Sequence, residues 1–143
     1  MRLSLLAFAC CIALDSCQAP DGNGGIAIEP APVSPDVAAV IAGDMAVRLS
    51  ERLSPASSLI RLSLSDEASE FSPALRASLK ASGYTVASGA TPKAKAIVLS
   101  YGLTHSPDGF LASLSTDGMR LARIYAVSGA RVTPTGPLSV TTF

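Results

Sequence analysis

The segment Leu111-Ala112-Ser113-Leu114-Ser115-Thr116-Asp117-Gly118-Met119-Arg120-Leu121-Ala122-Arg123-Ile124-Tyr125-Ala126-Val127 decides the fold. Phe110 to Ser115 and Met119 to Val127 read as strands, and Thr116-Asp117-Gly118 between them is the residue chemistry of a tight hairpin turn. Upstream, Ile97, Leu99, Tyr101 and Leu103 recur at every second position, separated from Phe110 by the turn signal Ser106-Pro107-Asp108-Gly109. These three runs predict an antiparallel meander.

Towards the N-terminus, Tyr84-Thr85-Val86 reads as another strand, joined to Ile97 through a Gly/Pro-containing turn over Ser88 to Lys93. The sheet is therefore expected to grow by hairpins here. Before it, Phe71, Ala74, Leu75, Ser78 and Leu79 share a helical face, with Asp66 and Ser69 as candidate caps, Pro73 early enough to be tolerated and Gly83 just past the end. From Ser58 to Leu64 the period is two, with Ile60, Leu62 and Leu64 on one side. Ser34-Pro35-Asp36 supplies an N-cap, a proline at the first helical position and an acid in the first turn. Val37, Val40, Ile41, Met45, Leu49 and Leu53 then form an apolar stripe, closed by Pro55. Towards the C-terminus, Ser128 to Phe143 reads as irregular, with Leu138-Ser139-Val140 as a short edge strand at most. The order helix, strand, helix, then four strands predicts an α+β domain with two helices packed on one face of a small, mainly antiparallel sheet. The strand order stays open.

At 143 residues, the chain holds one domain of modest size once its N-terminal region is set aside. Eleven Lys and Arg balance eleven Asp and Glu, and there is no Trp, so no basic footprint or aromatic platform for nucleic acid is visible.

The N-terminal region has its own design. Met1 and Arg2 precede an uncharged apolar run from Leu3 to Leu14, too short to span a bilayer, which takes roughly 20 apolar residues. Leu14-Asp15-Ser16-Cys17 follows as a lipobox, in which the Cys17 thiol would receive a diacylglycerol before cleavage. Asp15 is the misfit, since that position is normally small or apolar; the alternative is a chance cysteine at the end of an ordinary signal. Cys10 and Cys11 would leave with the signal, so no disulfide framework is expected. Gln18, not Asp, follows Cys17, which favours the outer over the inner membrane. The acyl chains, at about 0.8 kcal/mol per buried methylene, would make release negligible. Residues 18 to 35 hold Gly22, Gly24, Gly25, Pro30, Pro32 and Pro35 and read as a tether, with Ile26 and Ile28 as the residues best suited to pack on the domain. The expected organisation is a signal peptide over 1–16, a lipidated cysteine and flexible tether over 17–35, and a single periplasmic domain over 36–143.

No catalytic constellation stands out. His105 is the single histidine, at a strand-to-turn junction, with no second ligand or nucleophile nearby in sequence. Asp66, Glu67 and Glu70 fit the first turn of a helix better than an acid/base pair. The glycines at 22, 24 and 25 lack the preceding strand and following Lys of a phosphate loop. No enzyme, cofactor or metal site is expected. Arg123 is different: it shares a strand face with Met119, Leu121, Tyr125 and Val127. Two readings fit. One is a snorkelling or salt-bridged arginine at the sheet rim; the other is a partner interface carried by Arg123 and Tyr125.

Phe71-Ser72-Pro73-Ala74-Leu75 through Gly83-Tyr84-Thr85-Val86, the run from Leu111 to Thr116, Arg123-Ile124-Tyr125 and Gly136-Pro137-Leu138-Ser139-Val140 together resemble the conjugal transfer protein TrbH family, from about Asp36 onwards. The closing pattern, Arg-x-Tyr followed by Pro-Leu-Ser-Val, is the more specific part. The resemblance implies a lipoprotein of a conjugative type IV secretion apparatus, with other channel proteins as partners and no catalytic residues. It leaves three roles open: a structural component of the channel, a pilot for an outer-membrane protein, and a lipid-anchored regulator of cell-wall enzymes.

Overall fold

The computed structural model describes residues 33–63, 70–88, 96–107 and 109–143. The lipobox with Cys17, the tether, the caps Asp66 and Ser69 and most of the turn before Ile97 lie outside the described residues.

The first helix, α1 (Pro35–Ser50), starts as its sequence dictates: Ser34 is extended, its Oγ accepts from the Val37 N–H at 3.4 Å, and Pro35 occupies the first turn. Its buried side is Val37, Ala38, Ile41, Ala42, Met45, Ala46 and Leu49. Val40, expected on the apolar stripe, is instead 49 % exposed. The three alanines at four-residue spacing take the inward positions, because a short side chain lets the helix sit close to its neighbours while Val40 turns outwards.

A short 3₁₀ turn (Pro55–Ser57) leads to strand β1 (Leu59–Leu62), whose Ile60 and Leu62 are buried as the alternation requires. Helix α2 (Phe71–Ala81) buries Phe71, Ser72, Leu75 and Leu79. Its end is a Schellman motif. Gly83 sits at φ +93°, the Gly83 N–H donates to Lys80 O at 3.0 Å and the Tyr84 N–H to Leu79 O at 3.0 Å. The chain then enters β2 (Thr85–Val86), β3 (Ile97–Ser106), β4 (Gly109–Ser115), β5 (Met119–Ser128), β6 (Arg131–Pro134) and β7 (Ser139–Thr142).

The meander is present: β3 pairs with β4 and β4 with β5, both antiparallel, and Asp117-Gly118 closes the second hairpin through the Thr116 N–H to Met119 O bond at 2.8 Å. The remainder of the sheet differs from expectation in two places. First, β2 and β3 are not hairpin partners. Strand β1 lies between them and is parallel to both, with Leu59 opposite Thr85 and Ile60 opposite Ile97. The physical reason is the helix between β1 and β2: a strand, a helix and a second strand return in the same direction, and adjacent strands joined that way pair in parallel. Second, the C-terminal stretch is not irregular. Both β6 and β7 pair antiparallel with β5, at its two ends, to give the order β2-β1-β3-β4-β5-β6 with β7 beside β6 on β5.

One core joins the helices to the inner face of this mixed sheet. Leu99 and Tyr101 from β3, Phe110, Ala112 and Leu114 from β4, and Leu121 and Tyr125 from β5 pack with the buried faces of α1 and α2. At roughly 1.5–3 kcal/mol for each large apolar side chain fully buried, this cluster is the main source of stability. No helix among the described residues is long and apolar enough to cross a membrane.

Candidate functional site: a carboxylate lock beneath the C-terminal edge

Arg123 and Tyr125 point inward from β5 towards α1, where they meet Asp44. The Tyr125 hydroxyl donates to Asp44 Oδ2 at 2.6 Å, and Arg123 Nη1 donates to the same oxygen at 2.9 Å. Asp44 Oδ1 faces Arg48 Nε at 3.6 Å, and Arg48 Nη1 pairs with Glu51 at 2.7 Å. Tyr125 is almost fully buried, while the side chains of Arg123 and Asp44 keep 17 % and 24 % of their surface. This arrangement shows the salt-bridged form of Arg123. In the isolated chain both residues are committed to Asp44 rather than offered outward.

Arg123 has a second attachment, its Nε donating to Gly136 O at 3.3 Å. The reason lies in the register of the C-terminal edge. The Thr135 N–H still bonds Ile124 O at 3.0 Å, whereas Ala122 is opposite Ser139. The edge chain thus gains two residues over that interval and bulges away from β5, with Gly136 and Pro137 in the bulge. Strands β6 and β7 are in effect one edge strand interrupted there. The guanidinium spans the gap, so one side chain ties α1, β5 and the bulge together. The two parts of the closing pattern noted in the sequence, Arg-x-Tyr and Gly-Pro-Leu-Ser-Val, are one structural unit.

The chemistry of the cluster is that of a fastener. Burial pushes the Tyr125 hydroxyl well above the ordinary value near 10, and the Asp44 hydrogen bond and charge push it further. Arg123 and Arg48 pull in the opposite direction but less strongly. The phenol therefore stays a proton donor at any physiological pH. Asp44 Oδ2 is saturated by two strong, charge-assisted bonds, while Oδ1 has only the longer ion pair to Arg48. A second tyrosine fastens the chain just after α1: the Tyr84 hydroxyl donates to Leu53 O at 2.6 Å, and burial raises its pKa to about 12.

His105 is exposed on β3, with Nδ1 at 3.1 Å from Ser106 O and its ring beside Phe110. Among the described residues, no group of three or more His, Cys, Asp or Glu stands close enough to hold a metal ion. Asp44 escaped the sequence reading. Its signal was a lone acid seven residues after Val37 on the inward side of an apolar helix, matched by a lone arginine on the inward side of a strand.

Comparison with known proteins agrees with this geometry in its extent. The sequence profile described as "Conjugal transfer protein TrbH" matches residues 19–143. The chain belongs to the TrbH family. It is 34 % identical over 145 aligned residues to a "Probable conjugal transfer protein TrbH" of Sinorhizobium fredii (strain NBRC 101917 / NGR234), covering 98 % of this chain and 97 % of that protein. No solved structure matches it. Every element of the described TrbH domain, from α1 to β7, falls within the family's span.

Proposed function

We propose that the chain is a lipid-anchored envelope protein, held by acyl chains on Cys17 at the periplasmic side of the outer membrane. There it acts as a structural or assembly component of the conjugative DNA-transfer apparatus. The observation that carries this reading is the TrbH family match over residues 19–143, beginning just after the lipobox cysteine. A non-enzymatic role accords with the Asp44 cluster, in which Tyr125 and Arg123 both bond the same carboxylate oxygen. In this role Arg123 and Tyr125 act from inside, tying the C-terminal edge to α1 and holding it in one shape.

Deleting the gene without disturbing its neighbours should abolish or sharply reduce plasmid transfer, restored by the gene supplied in trans. Normal transfer with normal channel assembly in the deletion strain would overturn the proposal. Purification of the assembled channel separates component from pilot, because a component co-purifies in fixed ratio.

A further inference from the structure

The C-terminal edge is protected along one half and open along the other. Hydrogen bonds to β5 come from alternate residues of the edge chain, and two observed bonds fix which ones. Because the Thr135 N–H donates to Ile124 O, the residues of β6 whose backbone groups turn away from β5 are Val132 and Pro134. Proline has no N–H, and Arg131 adds a charge; both are devices that stop a further strand from pairing. Because the Phe143 N–H donates to Gly118 O at 3.2 Å, the outward residues of β7 are Val140 and Thr142. Each offers an N–H and a C=O. Strand β7 has no proline and no charge, Ser139, Thr141 and Thr142 are exposed, and Phe143 beyond it is 74 % exposed.

We propose that β7 pairs antiparallel with β7 of a second copy of this chain, about a twofold axis through Thr141. The match is set by parity. Centring the axis on Thr141 places Val140 opposite Thr142 of the second copy and Thr142 opposite its Val140, so every outward donor meets an acceptor in two hydrogen-bonded pairs. Thr141 then faces its own counterpart in the closer, non-hydrogen-bonded position, a favourable cross-strand pair. Phe143 lies over Ser139 of the second copy and loses exposure. Arg120, the neighbour of Thr141 on β5, is kept from its counterpart by three strand spacings, roughly 15 Å, beyond the screening length at physiological salt. Strand β6 has no such solution, since Pro134 removes one donor from each copy. The lock at Asp44 and Gly136 keeps the bulge in place and thereby sets β7 in register for pairing.

The test is register-specific cross-linking of the full chain in cells carrying the transfer genes. Thr141→Cys brings two thiols together across the axis, whereas Ser139→Cys leaves them about four residues apart along the strand, on the order of 13 Å. Mild oxidation should give a disulfide-linked homodimer several-fold more abundant with Thr141→Cys than with Ser139→Cys or the unaltered chain. Adding Thr142→Pro, which removes an outward N–H that β5 does not use, should return the Thr141→Cys dimer to background. Equal cross-linking from positions 141 and 139, or insensitivity to Thr142→Pro, overturns the proposal. So does a Thr141→Cys adduct with a different protein in place of the homodimer. If the proline variant fails to accumulate, the contrast between positions 141 and 139 decides alone.

Discussion

Asp44 receives two donors on one oxygen, and its removal strands both. Asp44→Ala leaves a buried phenol without an acceptor and a half-buried guanidinium without its counter-charge, at an expected cost of about 2–4 kcal/mol in global stability. Tyr125→Phe keeps the packing of the ring and loses one charge-assisted hydrogen bond, so about 1–2 kcal/mol is expected. The order of the two costs, read from urea unfolding of the purified chain, checks the assignment; equal or inverted costs would remove Asp44 from the centre of the network. The same phenols predict an alkaline limit. Their folded pKa values are raised, so the unfolded chain ionises first, near pH 10, while the folded chain holds its protons. Stability contributed by neutral Tyr84 and Tyr125 is fully present below pH 10 and falls as pH rises through 10 to 12 and above. Tyr84→Phe and Tyr125→Phe should each flatten that fall. The site was half legible for a physical reason: alternation along β5 placed Arg123 on an inward face, but its partner lies 79 residues away, a distance that no local pattern spans.

At the scale of elements, local rules worked where one strand or helix decides its own form. The Schellman end of α2 needed only Gly83 and Tyr84, and the β4–β5 hairpin needed only its turn residues and a period of two. Pairing direction is another matter, because Leu59 to Leu62 looks the same whether its neighbours run with it or against it. Strand β6 was missed, and β7 was read only as a short edge strand at Leu138-Ser139-Val140, for a related reason: Gly136 and Pro137 read as irregular chain, whereas they make a bulge between two stretches of one edge. Two glycines rank the local constraints. A side chain at Gly83 would meet only Pro55 at ordinary contact distance, so Gly83→Ala pays for φ +93° alone, about 1–2 kcal/mol. At Gly109, φ is +138° and a Cβ would overlap the Tyr125 carbonyl group, which belongs to the neighbouring strand β5. Gly109→Ala must therefore displace β4 from β5 and should be the more damaging substitution, seen as the larger drop in thermal midpoint. A smaller effect at Gly109 than at Gly83 would mean that the Ser106–Gly109 turn can relax away from β5.

For the whole molecule, fold and attachment should be separable. Among the described residues, the core cluster, the Asp44 lock, the Schellman end of α2 and the C-terminal edge form one connected network. Nothing in this network requires the acyl chains proposed on Cys17. Cys17→Ser should accordingly leave the unfolding midpoint of the chain within experimental error of the unaltered protein, moving it from the membrane to the soluble periplasmic fraction and abolishing labelling by radioactive fatty acid. Transfer should fall with it, since a component that must meet its partners at a membrane loses the local concentration that a tether provides. The outcomes discriminate among readings. Retained membrane association of the variant would show that the lipid is not what holds the domain, and absence of labelling in the unaltered chain would show that the mismatch at Asp15 marks a cysteine that is not lipidated. A lower midpoint would show that residues before Val33, with Ile26 and Ile28 the first to examine, pack on the domain rather than serve as a tether.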